Sequence, residues 1–159
     1  MKNILKKIVI AVVLIPFVLI ILFVAFEIMG AIVNSATTAK QTKQLKSNIE
    51  DMLQNSVVLD TCSETGNTSG TGNHVDMLSV VVFQTDDNIE QIIEKMQSTY
   101  EFDEWCCWVE ELNVIVTAYQ EHDYYYFFCE NMELPENTDN CYVFYLNRSA
   151  PFVDNIVGH

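Results

Sequence analysis

Ile8–Val33, IVIAVVLIPFVLIILFVAFEIMGAIV, is the stretch from which the rest of the chain is read. Its first nineteen residues, Ile8 to Phe26, carry no charge and no strongly polar group. At about 1.5 Å of rise per residue, a helix of that length covers about 28 Å, close to the hydrocarbon thickness of a bilayer. A helix also satisfies its own backbone hydrogen bonds in lipid, and neighbouring groups accommodate the one carbonyl that Pro16 leaves free. The run is apolar on every side and longer than the 7–15-residue core of a cleavable signal peptide. Small-residue cleavage sites occur only well beyond it, around Ser35-Ala36 and Thr37–Ala39. The sequence therefore predicts an uncleaved signal anchor over residues 8–33.

Working outward, residues 1–7 form a short tail with Lys2, Lys6 and Lys7, while the next lysines, Lys40, Lys43 and Lys46, begin some way past the run. That asymmetry predicts a cytoplasmic N-terminus and an extracytoplasmic C-terminal part in the cell membrane. Glu27 is the one acid in the run and is expected at the outer interface, where the hydrocarbon ends. A glutamate near an N-terminal apolar helix also occurs in type IV pilins. Here, however, no Lys/Arg-Gly processing site precedes the run, and the glutamate stands at its far end.

Beyond Glu27 the chain has 21 acids against five basic residues, a net charge of about −16. Such a surface repels nucleic acid and anionic headgroups. It suits solubility, a cationic ligand or a basic protein partner. No cofactor is implied, and lipid contact is expected only through the N-terminal helix.

Residues 34–55 are polar and lack Gly and Pro, with Leu45, Ile49, Met52 and Leu53 at helical spacing. They are read as a helical stalk whose apolar stripe packs on its own domain. The globular part is placed at 56–148 and a fraying C-terminal tail at 149–159. Val57–Leu59 and Val75–Phe83 read as strands separated by the Gly-rich loop Glu64–Asn73. Asp87, with Glu90 as capping-box partner, opens an amphipathic helix to Tyr100 whose face is Ile89, Ile92, Ile93 and Met96. Trp105–Val109, Val114–Tyr119, Tyr124–Cys129 and Cys141–Leu146 are rich in aromatic and β-branched residues and read as strands, with a turn at Glu110–Asn113. The order predicts an α+β fold: a small, mostly antiparallel sheet with the helices on one face.

The five cysteines, Cys62, Cys106, Cys107, Cys129 and Cys141, all follow the anchor and are disulfide candidates in an oxidising exterior. A hairpin centred on Pro135 would oppose Cys129 and Cys141, and Cys62 is the natural partner of Cys106 or Cys107. His74 and His122 have neighbouring acids but no zinc-ligand spacing. The acids Glu101, Asp103 and Glu104, and Glu130, Glu133, Glu136 and Asp139, form no calcium loop. The glycines at 66, 70 and 72 do not have phosphate-loop spacing, and no nucleophile motif is present. No catalytic, cofactor or metal residue is assigned. The expected function is a membrane-anchored binding, sensory or accessory domain. The alternatives are an anchored hydrolase or thiol enzyme using His74 or His122, and a pilin-like assembly subunit.

Overall fold

The computed structural model describes residues 2–70, 72–121 and 127–158. One unbroken helix, α1 (Lys2–Met52), runs from the apolar stretch into the folded domain, a length of about 76 Å. Its apolar part is long enough, and apolar enough at a mean hydropathy of 3.0, to cross a membrane, and is exposed all round from Val12 to Phe26. From Gly30 onward the environment changes. Asn34, Thr38, Thr42, Leu45 and Ile49 are buried at spacings of three and four residues, so a single face of the helix lies on the sheet. The stretch read as a stalk is thus a core element of the domain.

The remaining elements are β1 (Val57–Gly66), β2 (Asp76–Gln84), α2 (Ile89–Met96), β3 (Cys107–Glu111), α3 (Leu112–Glu121), a 3-10 turn at Phe127–Asn131, β4 (Cys141–Ser149) and a last 3-10 turn at Ile156–Gly158. The four strands form one sheet in the order β1-β2-β4-β3, with every neighbouring pair antiparallel. The α+β class and the antiparallel sheet agree with the sequence reading. β2 and β4 are central, which explains why β2 is buried from Asp76 to Phe83: both of its faces are covered.

Strand alternation sorts the core into two layers. Val81, Phe83, Val109, Tyr142, Phe144 and Leu146 face α1 and α2, where Leu45, Ile49, Leu53, Ile92 and Met96 meet them. Cys62, Leu78, Val80, Val82, Cys141 and Val143 point the other way, toward Leu112, Ile115, Phe128 and Met132. Helices therefore cover both faces, not one as expected from the sequence.

The difference traces to residues 112–121. Val114, Val116 and Thr117 gave this stretch a strand-like composition, but it is a helix. Leu112, Ile115, Val116 and Tyr119 all turn toward the second layer, an i, i+3, i+4, i+7 stripe. β-branched residues lower helix propensity by only a few tenths of a kcal/mol each, so burial of that stripe decides the outcome. Glu110 and Glu111 accordingly end β3, and Leu112 and Asn113 open α3 instead of forming a turn. Phe127–Cys129 is a 3-10 turn, not a strand, and Tyr124–Tyr126 lie outside the described residues.

Helix α2 begins one residue later than its acidic signal suggested. The cap is Asn88, whose Oδ1 accepts from Gln91 N while Gln91 Oε1 accepts from Asn88 N, both at 3.0 Å. Asp87 is engaged elsewhere. Lys95 Nζ reaches both its oxygens at 2.7 Å, and Gln54 N, just past α1, donates to Oδ2 at 2.9 Å. The carboxylate thus ties the end of α1 to α2. Burial opposes its charge, but the hydrogen bonds from Lys95 and Gln54 and the nearby ammonium outweigh this and hold its pKa below the ordinary 3.8. A lowered pKa gives stability that is present above the unfolded value and lost as pH falls through the folded one. Lys95→Met is expected to cost about 2 kcal/mol at neutral pH. This is less than for a fully buried pair, because Lys95 is partly exposed. The gap between parent and variant should narrow as pH falls below the ordinary carboxylate range, where Asp87 takes up a proton. Urea melts at neutral and at acidic pH measure it, and a gap that is equal at both would exclude the ion pair as its source.

The C-terminal tail is folded. Val75 N donates to Val153 O and Ala150 N to Val75 O, which extends the sheet pattern past β4, and Asn155 and Gly158 are buried. Gly158 sits where a side chain would collide with the His74 backbone at 2.6 Å.

Candidate functional site

On the sheet face away from α1, the antiparallel register aligns three rows of residues. Glu64, Leu78 and Asn147 form one, ending beside Cys106, whose carbonyl accepts from Asn147 N. Cys62, Val80, Tyr145 and Trp108 form the next, and Asp60, Val82, Val143 and Glu110 the third. Helix α3 covers only part of this face. The uncovered part is a groove of about 1070 Å³ between the β1–β2 connection and residues 104–110.

The groove has an aromatic floor and a polar, acidic rim. The Trp108 and Tyr145 rings stack at 4.7 Å and 6°, with Phe128 against Tyr145 at 6.1 Å. Trp105 stands at the edge, 80% exposed, which is unusual for so large an apolar side chain. Glu64, Glu104 and Glu110 supply negative charge around it, and Thr68 and Asn147, bonded to each other at 3.3 Å, supply neutral donors and acceptors. Such a surface suits a ligand with a flat apolar face and a cationic group, which the carboxylates and the ring faces both attract. The sequence places many aromatic residues on the sheet's second face, with core as the default reading; it does not locate the groove, whose floor depends on the β3–β4 register.

No family model matches the sequence, and no curated protein or solved structure matches it either. The chemistry of the site therefore rests on its geometry.

His74 belongs to a loop cluster beside the groove. Its Nε2 lies 3.1 Å from Asp76 Oδ1 and 3.3 Å from Ser69 Oγ, while Ser69 N donates to Asp76 Oδ2 at 3.2 Å. A serine, a histidine and an aspartate are thus together. Nucleophilic catalysis needs the serine on one ring nitrogen and the acid on the other. Here the same nitrogen faces both, an arrangement suited to holding the loop closed. His122, the other histidine considered for catalysis, lies outside the described residues.

The acids do not converge: among the described residues no three His, Cys, Asp or Glu side chains are grouped to hold a metal. Asp103 is instead a turn cap. Its Oδ1 accepts from the backbone N–H groups of Trp105 and Cys106, which hold its pKa below the usual value and fix the Trp105 loop. Glu130 Oε1 accepts from the Tyr119 hydroxyl at 3.1 Å, and Asp60 Oδ2 from Glu133 N at 2.8 Å.

All five cysteines are free thiols. Cys62 and Trp108 occupy opposite ends of one four-strand row, three strand spacings or about 14 Å apart. Cys107 faces the α1 layer and Cys62 the other layer. The structure therefore does not bring Cys62 within disulfide reach of the adjacent pair. Cys129 and Cys141 share one apolar cluster, but the hairpin expected to oppose them is not formed, because Cys129 sits in a 3-10 turn. Burial pushes the thiols of Cys62, Cys107 and Cys129 up to about 11, and Cys141 is also raised. Cys106 alone is exposed. A thiol reagent at pH 8 is expected to label one cysteine, Cys106, in the folded protein and all five after unfolding. Fewer than five in denaturant would reveal a disulfide, and several fast thiols in the native state would contradict the burial.

Proposed function

We propose that the chain is a single-pass, membrane-anchored binding protein that presents its α+β domain outside the cell, with the aromatic groove as its ligand site. What carries the anchoring reading is the division of one continuous helix. From Val12 to Phe26 it is apolar and exposed all round, and from Asn34 to Ile49 one face of it is buried in the domain. A helix of that kind in a bilayer holds the domain directly above the membrane surface. The groove supplies the binding reading: an exposed indole, a stacked aromatic floor and three carboxylates select a cationic ligand with an aromatic or aliphatic face, such as a basic peptide segment.

The test uses the full chain in detergent micelles, titrated with short cationic, neutral and anionic peptides carrying one aromatic side chain and read by tryptophan emission. Cationic peptides should bind, salt should weaken them, and the triple variant Glu64→Gln/Glu104→Gln/Glu110→Gln should lose the preference. An equal response to all three classes, or none, would overturn the ligand assignment. Protease access to the domain in intact cells tests the topology separately.

A further inference from the structure

We propose that the C-terminal segment Phe152–Val157 is a second membrane contact, lying in the interface of the bilayer that α1 crosses and seating the domain against it. The proposal rests on the anchoring reading above and deepens it. Its starting point is where the tail meets the helix. The apolar run of α1 ends at Phe26, about 27 Å from Ile8, which places Phe26 at the outer edge of the hydrocarbon. The Phe152 ring packs edge-on against the Phe26 ring at 5.5 Å. One turn further on, Gly30 has no side chain, and a Cβ there would meet Asn155 Nδ2 at 2.7 Å and the Phe152 ring at 3.3 Å. The tail is thus held at the level where the helix leaves lipid.

The polar groups that face α1 at this junction are satisfied within the protein, and the one charge in the segment, Asp154, is exposed and stays on the water side of the contact. Glu27 Oε2 accepts from Asn155 Nδ2 and from Ile156 N, both at 2.9 Å, and Glu27 O accepts from Asn155 Nδ2 at 2.7 Å. Asn34 exchanges two bonds with the Phe152 backbone, at 2.9 and 3.0 Å. A carboxylate with two donors and backbone groups with partners tolerate a dehydrated interface far better than free ones.

The apolar groups at the junction, by contrast, are left bare. Ile156 is 61% exposed, and Val153 and Val157 are also open. On α1 the exposed apolar surface does not stop at Phe26 but continues through Ile28, Met29, Ile32 and Val33. A helix entering water at Phe26 would be polar on its open face from that point. Tail and helix together form an apolar collar continuous with the span, and its fit is to lipid. The exterior part as a whole, at about −16 with Asp154 included, repels anionic headgroups, so the contact is made by the apolar side chains and needs no anionic lipid.

The experiment uses the full chain in phosphatidylcholine vesicles brominated high on the acyl chains, with Ile156→Trp as reporter. The native tryptophans provide a low background. Gln41, fifteen residues and about 22 Å beyond Phe26 along α1, already bonds Leu146 O, near the level of Trp108 on the sheet. Emission from the introduced indole should be blue-shifted and mostly quenched by the brominated lipid, whereas Glu50→Trp, at the far end of α1, should be unaffected. Val153→Trp serves as a second reporter if the first variant is unstable. Quenching no greater than in the Glu50→Trp control would overturn the proposal. So would a blue shift without quenching that depends on protein density, which would point to a second copy on the patch. Vesicle flotation of the parent protein separates the two claims: flotation without reporter quenching defeats the tail contact alone, and failure to float defeats the anchor as well.

Discussion

A chain shortened to begin at Ser56 will not fold, whereas one beginning at Asn34 will give a folded domain without the apolar run. The difference lies in the second half of α1 and in Leu53 just past its end. Leu45 and Ile49 are fully buried and Leu53 nearly so, against Val81, Phe83 and Phe144. At about 1.5–3 kcal/mol for each large apolar side chain, these three contribute roughly 5–9 kcal/mol, comparable to the whole 5–15 kcal/mol of a typical domain. A polar seam adds to the loss. Thr42 and Ser79 hydroxyls bond at 2.7 Å, Thr38 and Thr65 at 2.6 Å, and Gln41 Nε2 donates to Met77 O and Ser79 Oγ at 3.0 Å. Without α1, Ser79 loses its partners on the helix and the central strands face water. Cooperative thermal unfolding followed by circular dichroism distinguishes the two truncations. A cooperative melt from the Ser56 version would show that the helix is dispensable.

The polar seam also shows what the sequence did and did not reveal. The helical spacing of Leu45, Ile49 and Leu53 was legible because apolar residues mark a buried face by themselves. Asn34, Thr38, Gln41 and Thr42 continue the same face in polar residues, and their burial is explained only by partners on β1, β2, β4 and the tail that lie far away in sequence. Strands β2 and β4 were read correctly because central strands are apolar on both sides. Helix α3 is strand-like in composition but helical in spacing: Leu112, Ile115, Val116 and Tyr119 carry the helical period, and burial of that stripe outweighs the β-branched residues. The groove was invisible for a different reason. Trp108 meets Tyr145 only through pairing between β3 and β4, which are separated by α3 and a long connection. The fold class was thus written in local patterns, while the candidate site is a product of register.

Phe144→Ala is expected to cost 3–5 kcal/mol, the largest loss from any single side chain in the sheet. Phe144 is fully buried at the centre of β4, opposite Val81 on one side and Val109 on the other. Tyr100 meets its ring edge-on at 5.2 Å and Phe102 at 5.5 Å, and Tyr100 in turn accepts a 2.7 Å bond at its hydroxyl from Asn48 of α1. The ring therefore joins sheet, α1 and the segment after α2, and backbone pairing on both sides leaves β4 little freedom to close the cavity. Phe144→Leu keeps most of the volume and should cost about 1 kcal/mol. Urea midpoints of the two variants measure these losses, and an alanine variant within 1 kcal/mol of the parent would mean the core is not packed as described. The substitution also bears on the groove. Tyr145, the next residue, points to the opposite face and carries the stacked Trp108, so a shift of β4 should change indole emission and weaken peptide binding even where the domain stays folded. Trp105→Ala, by contrast, removes an exposed rim side chain: it should change stability by less than about 0.5 kcal/mol while reducing binding. A parallel loss of binding and stability across all three variants would place the binding site elsewhere, and a loss of binding in Trp105→Ala at unchanged stability would tie it to the groove.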